Sequence, residues 1–162
     1  MSEIIDTERF AIRAILLTPE REVLLLRILP DDNIEPFWIA PGGGQESGET
    51  FEETLRRELR EELGLTEFAV GPVVWRREHT FRWAGRRIRQ QEQYHIVHVP
   101  RFQPVMTDET EAKSLDRFQW WPAADLAQTR ERLTPLSLAT IVEQYMANGA
   151  PREPLALEVL VD

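Results

Sequence analysis

A glycine-flanked, glutamate-rich stretch, residues 43–65, constrains this chain more than any other feature. Gly43 and Gly44 lead into a helix-forming run that carries Glu58, Glu61 and Glu62 and closes at Leu63, Gly64 and Leu65. At about 100° of rotation per residue, Phe51, Leu55, Leu59 and Leu63 fall on one apolar stripe. Glu58 and Glu62 lie at the margin of that stripe, Glu61 lies further round, and Arg60 faces away from the core. Like charges one turn apart weaken a helix. A carboxylate at a core boundary must be paired, bound to metal or protonated. A divalent cation resolves both problems, and oxygen-only ligands beside a glycine turn suit magnesium, which commonly brings a phosphate substrate with it. The competing reading is a solvated acidic face paired with Arg56, Arg57 and Arg60. It leaves the coincidence of glycine loop, Glu58–Glu62 spacing and Gly64 cap without a cause.

The stretch resembles the box motif of the Nudix (MutT-like) hydrolases. That pattern asks for Gly, five residues, Glu, seven residues, Arg-Glu, an aliphatic, any residue, Glu-Glu, any residue, Gly and an aliphatic. Gly43, Glu49, Arg57, Glu58, Leu59, Glu61, Glu62, Gly64 and Leu65 fill every fixed position. The approach through Phe37, Trp38, Ile39, Ala40, Pro41 and Gly42 is similar to the family's strand-to-loop passage. Thr54 stands where the family often has alanine, and a small residue fits there.

Length fits one domain over residues 1–162, with no linker-like or repeated segment. With no cysteine, disulfides, thiolate metal sites and cysteine nucleophiles are excluded. No apolar run of signal or membrane length is present, so no membrane partner and a cytoplasmic location are expected. A net charge of −9 disfavours generic binding to nucleic acid. Within this acidic chain, Arg76, Arg77, Arg82, Arg86, Arg87 and Arg89 cluster. A planar guanidinium fork suits phosphate, so Arg77 and Arg82 are expected as a substrate-capturing rim. A solvated stripe or a homodimer contact competes with that expectation.

Apolar runs at residues 9–18 and 23–28 read as strands separated by a turn at 19–22, and residues 37–40 as a short strand. Residues 72–83 and 86–99 read as two long strands around Ala84-Gly85, and residues 116–121 as another. Ser47 or Gly48 is expected near the start of the Glu-rich helix, with Gly64 ending it. Short and longer helices are expected at 122–128 and 135–148, and residues 154–162 alternate like an edge strand. Arg13 interrupts an apolar strand, so it is either an edge residue or a buried partner for a carboxylate. The resemblance implies an α/β/α sandwich with a mixed central sheet, and the element order suits it.

The resemblance also implies the chemistry. Glu58, Glu61 and Glu62, with the carbonyl of Gly43, are expected to hold Mg2+, with Mn2+ as a substitute. Arg57 and Glu49 brace the carboxylates, and Glu61 is placed to accept a proton from water. The implied reaction is attack of water on a diphosphate bridge, in a nucleoside diphosphate linked to another group. Outside the box, Glu111 and Glu92 are expected as an extra metal ligand or general base, Glu92 also as a substrate contact, with Glu109 beside Glu111. The segment Thr80-Phe81-Arg82-Trp83 carries neither the proline of ADP-ribose hydrolases nor the tyrosine of dinucleoside-polyphosphate hydrolases. A nucleoside triphosphate, a nucleotide sugar and a capped RNA end all stay open. The alternative of another class is a Nudix-fold nucleotide sensor without turnover. Such sensors commonly lose box carboxylates, and this box keeps them.

Overall fold

A computed structural model describes residues 7–30, 35–83, 85–106, 114–153 and 155–161, the side chains of 82, 83 and 155–161 excepted. The elements run β1 (Thr7–Leu17), β2 (Glu22–Ile28), β3 (Phe37–Ile39), β4 (Gly42–Gly44), α1 (Phe51–Leu63), β5 (Val73–Trp83) and β6 (Arg86–His98). They continue with β7 (Leu115–Pro122), α2 (Ala123–Leu126), β8 (Arg132–Thr134), α3 (Leu138–Asn148) and β9 (Leu155–Val161). The strands form one mixed sheet in the order β8-β3-β2-β1-β6-β5-β9, with β4 beside β1 and β7 beside β2. The pairs β1–β6, β3–β8 and β5–β9 are parallel, and the others antiparallel.

Alternation along the buried strands builds two cores. Ile12, Ala14 and Leu16 of β1 and Leu24 and Leu26 of β2 meet Leu55, Leu59 and Leu63 of α1. Ile15, Leu17, Val23 and Leu25 point the other way and meet Leu138, Ile141 and Val142 of α3. A period-2 strand covered on both faces has to be apolar throughout, which is why residues 14–17 of β1 and 23–26 of β2 read as unbroken apolar runs. The fold is therefore an α/β/α sandwich around a mixed sheet.

The sheet forks at β1. Its register with β2 is held at Leu17↔Val23, while Ala11, Ile12 and Arg13 pair instead with Gly44, Gly43 and Gly42. The glycine loop is thus a short strand, β4, beside β1. Glycine has low strand propensity, so this pairing was not legible, nor was the three-residue β8. Close approach explains the glycine at 42: its φ is +139°, and a Cβ there would run into the backbone of Ile12 and Arg13.

Candidate active site

Helix α1 starts later than Ser47 or Gly48. Thr50 is the N-cap, its side chain accepting from the Glu53 N–H while the Glu53 carboxylate accepts from the Thr50 N–H. This reciprocal capping box satisfies two otherwise orphaned donors. Its signature, Thr followed three residues later by Glu, stood in the sequence. At the other end Gly64 takes a left-handed φ of +69° and closes the helix onto Arg60 and Leu59. Of the apolar stripe, Leu55, Leu59 and Leu63 are fully buried, but Phe51 is 40% exposed and meets Phe10 at 6.1 Å between ring centroids.

The helix docks its carboxylates against the glycine loop. Glu58 and Glu62 are only 5% and 9% exposed. Glu62 Oε1 accepts from the Gly42 N–H at 2.8 Å. The Glu58 carboxylate lies where a Cβ on Gly43 would stand, so only glycine admits it. Arg57 spans the cluster. It donates to Glu49 through Nε and Nη2 at 2.7 and 3.0 Å, to Glu58 and Glu61 through Nη1 at 3.0 and 3.2 Å, and to the Gly44 carbonyl at 2.9 Å. Hydrogen bonding from Arg57 holds the Glu49 carboxyl at about 2, well below its usual value. The Glu49 hydrogen bond in turn raises Arg57, against the cost of its burial and with help from Glu58. Glu49 also accepts from Thr54 Oγ1 and the Glu46 N–H, so Thr54 braces the cluster as well as fitting the space.

Among the described residues, no three carboxylate or imidazole groups already converge as a ready-made ligand set. In this arrangement Arg57 ties Glu58 and Glu61, and the Gly42 amide holds Glu62. The donor chemistry nevertheless fits a hard divalent cation. The donors are carboxylate and carbonyl oxygens, with Glu58 and Glu62 one helical turn apart against a loop whose glycine makes room for them.

The strands behave differently from the expectation. Arg77 is 4% and Glu92 3% exposed. They face each other across β5–β6, joined by bonds of 2.8 and 3.1 Å. Glu92 also accepts from Tyr94 Oη and Gln90 Nε2, both at 2.7 Å, and Arg13 Nε lies 3.6 Å away. Arg77 is thus not part of an exposed rim, and Glu92 spends its oxygens on protein donors. Burial alone would raise the Glu92 carboxyl, but Arg13 and Arg77 outweigh it and hold it at about 2. Burial, then the Glu92 charge, pushes the Tyr94 hydroxyl up. Of the two expectations for Arg13, the buried carboxylate partner is the one found.

The side chain of Arg82, and Glu109 and Glu111 altogether, lie outside the described residues. Arg9 went unnoticed in the sequence. It is exposed on β1, and its guanidinium lies where a Cβ on Gly44 would stand. Only the β1–β4 pairing brings it to the loop. A cavity of about 300 Å3 is lined by Phe10, Phe51, Arg76, Arg77, Gln91 and Glu92 among others, so Arg77 and Glu92 border it although both are buried. No helix among the described residues is long and apolar enough to cross a membrane.

Comparison with known proteins covers both sequence and fold. The profile of the NUDIX domain matches residues 7–140. The nucleoside triphosphatase NudI of Enterobacter sp. (strain 638) is 50% identical over 56 residues, which are 33% of this chain and 40% of that protein. The match therefore spans less than half the length of the curated relative. Among solved structures, the Escherichia coli ORF135 protein is similar at TM-score 0.58 and 26% identity, over 91% of this chain and 96% of that one. The NUDIX domain of Shewanella oneidensis NrtR, complexed with ADP ribose, shares the fold at TM-score 0.63 and 19% identity, over 85% and 87% of the two chains. So does the E. coli dihydroneopterin triphosphate pyrophosphohydrolase, at 0.63 and 22%, over 86% and 95%.

Proposed function

Because the chain belongs to the Nudix hydrolase family, we propose that it is a magnesium-dependent pyrophosphohydrolase, cleaving the diphosphate bridge of a nucleoside diphosphate linked to another group. The observation that carries this reading is the burial of Glu58 and Glu62 against the glycine loop. Two acids so placed are costly unless a cation shares them. Nudix hydrolases generally use a divalent metal, and an oxygen-only set favours magnesium, with manganese as a substitute.

Glu58, Glu61, Glu62 and the Gly43 carbonyl would hold the cation. It would supply charge neutralisation at the diphosphate and lower the pKa of a water. The chain's own residues supply position. Arg57 draws Glu49, Glu58 and Glu61 into one array and ties it to Gly44. Glu61, the most exposed of the three box acids at 25% of its side chain, can take a proton from the attacking water. Arg9, exposed at the loop, offers a cation to substrate phosphate and takes the capture role first expected of Arg77. Phosphoryl transfer asks little more of a protein than such positioning and electrostatics.

The name of the NudI relative makes nucleoside triphosphates the first class to assay, with nucleotide sugars and capped RNA ends after them. Incubation of the full chain with such a panel and magnesium, read by released phosphate or pyrophosphate, should give turnover that a chelator abolishes and magnesium or manganese restores. Full activity in excess chelator would refute the metal-dependent reading. Binding of a nucleotide without turnover of any panel member would favour the sensor.

A further inference from the structure

We infer that Arg13 and Glu92 are positioning residues: a buried ion pair that fixes the glycine loop on which the box carboxylates close. Neither residue belongs to the box, and neither touches it through the helix. The link runs through the sheet. Parallel β1–β6 pairing sets Ala11 opposite Glu92 and Arg13 opposite Tyr94. From that place Arg13 Nη1 donates to the Ala40 carbonyl at 3.0 Å and, more weakly, to the Gly42 carbonyl at 3.5 Å. The next residue along β1, Ala14, donates its N–H to the Pro41 carbonyl at 2.9 Å. Three successive loop carbonyls are thus oriented from β1, and the two flanking ones depend on one guanidinium.

The amide end of the middle peptide, Pro41–Gly42, faces the box carboxylates. Gly42 N–H donates to Glu62 Oε1 at 2.8 Å. A peptide is planar and turns as a unit, so the Gly42 amide turns with the Pro41 carbonyl that Ala14 holds, and the Ala40 and Gly42 carbonyls that Arg13 holds belong to the peptides flanking it on either side. Turning the loop would move the Glu62 clamp and the neighbouring Gly43 together.

Charge explains why two arginines serve Glu92. Arg13 and Arg77 both face one carboxylate in a buried setting. Glu62 completes the set: burial disfavours the Arg13 charge, but Glu92, Tyr94 and Glu62 together more than restore it. Glu92 holds Arg13 from behind and is itself fixed by Arg77, with Tyr94 and Gln90 filling the remaining acceptor sites of Glu92. Such a network restrains its members better than an isolated pair. Arg13 is therefore kept aimed at the loop rather than at solvent.

The inference rests on the metal-site reading for its functional consequence, but its first test needs neither metal nor turnover. Hydrogen exchange of the Gly42 amide is measured in the metal-free full chain, with the Leu59 amide of α1 as an internal reference. In Arg13→Met, Gly42 should exchange about tenfold faster while Leu59 keeps its protection, a local opening rather than global loss. Manganese affinity, read by titration, should fall by about tenfold, the usual effect of removing support behind a ligand. Arg13→Lys, which keeps the charge but not the fork, should recover part of both. If Arg13→Met does not fold, Glu92→Gln should show the same two changes in milder form. Unchanged Gly42 exchange and manganese affinity in either folded variant would overturn the inference. A wild-type chain that hydrolyses nothing, yet shows the Gly42 effect, would sink the proposed activity and leave the positioning role standing.

Discussion

Two arginine–carboxylate clusters lie on either side of the glycine loop, and they are built on opposite charge ratios. On the helix, one arginine serves four acids: Arg57 pairs with Glu46, Glu49, Glu58 and Glu61. In the sheet, two arginines serve one acid, Glu92. The helix cluster reaches solvent through Glu46 and Glu61, at 68% and 25% side-chain exposure, whereas Glu92 stands at 1%. A cluster with surplus acid and an opening suits the capture of a cation. A deeply buried cluster whose acid is matched by two arginines suits holding something still. Burial of a carboxylate therefore points to a metal ligand where, as for Glu58 and Glu62, it is set against a glycine loop that makes room for it.

The largest effect should come from the helix side. Glu62→Gln and Glu58→Gln are each expected to lower turnover by orders of magnitude, since metal-centred charge stabilisation is worth several kcal/mol. Melting temperatures should stay near that of the wild type, because the shape persists and mutual repulsion falls. Normal turnover in a folded variant would break the contrast at its acidic end.

Glu92→Gln should behave in the reverse way, with stability as its leading effect. Removing one partner of a buried ion pair typically costs about 3 kcal/mol or more, readable by urea unfolding. Acid should erase that difference in a defined direction. The Glu92 carboxyl is held at about 2, below its usual 4.5. A depressed carboxyl contributes stability that is complete above its unfolded value and lost as pH falls through the folded one. The gap between wild type and Glu92→Gln should thus be constant near neutrality and shrink from pH 4.5 towards 2. A gap that widens with acid would contradict the pairing with Arg13 and Arg77.

The smallest effect belongs to Arg9. Arg9→Met is expected to raise KM a few-fold with kcat nearly unchanged, the signature of lost uniform binding. Arg77→Met, by contrast, should act mainly through stability, because the Arg77 guanidinium is buried and tied to Glu92. Equal KM shifts in both would erase the distinction between loop and sheet arginines.

How much could be read in advance follows the same division. The helix cluster is local: its spacing sets Glu58 beside Glu62, its rotation predicts their burial, and Gly64 marks the end. The sheet cluster is not local. Glu92 sits between Gln91 and Gln93 in a polar strand, and nothing nearby in the chain names Arg13 as its partner. Strand pairing alone joins them, through β1–β6 and β5–β6. An arginine stripe likewise looks uniform in sequence, but strand alternation turned Arg77 inward and left Arg76 outward. Thr50 and Glu53 carry a capping-box spacing that the expectation of Ser47 or Gly48 passed over, whereas the strand role of Gly42–Gly44 rests on backbone bonds that side-chain patterns do not announce.

The central claim, that the buried box acids form the cation site, is tested most directly by manganese titration of the full chain, followed by its paramagnetic signal. The wild type should bind saturably, and the double variant Glu58→Gln/Glu62→Gln, folded by the same melting criterion, should bind at least about a hundredfold more weakly, since even outer supports of a metal site cost up to that much. Equal manganese affinity in the wild type and the double variant would contradict the account.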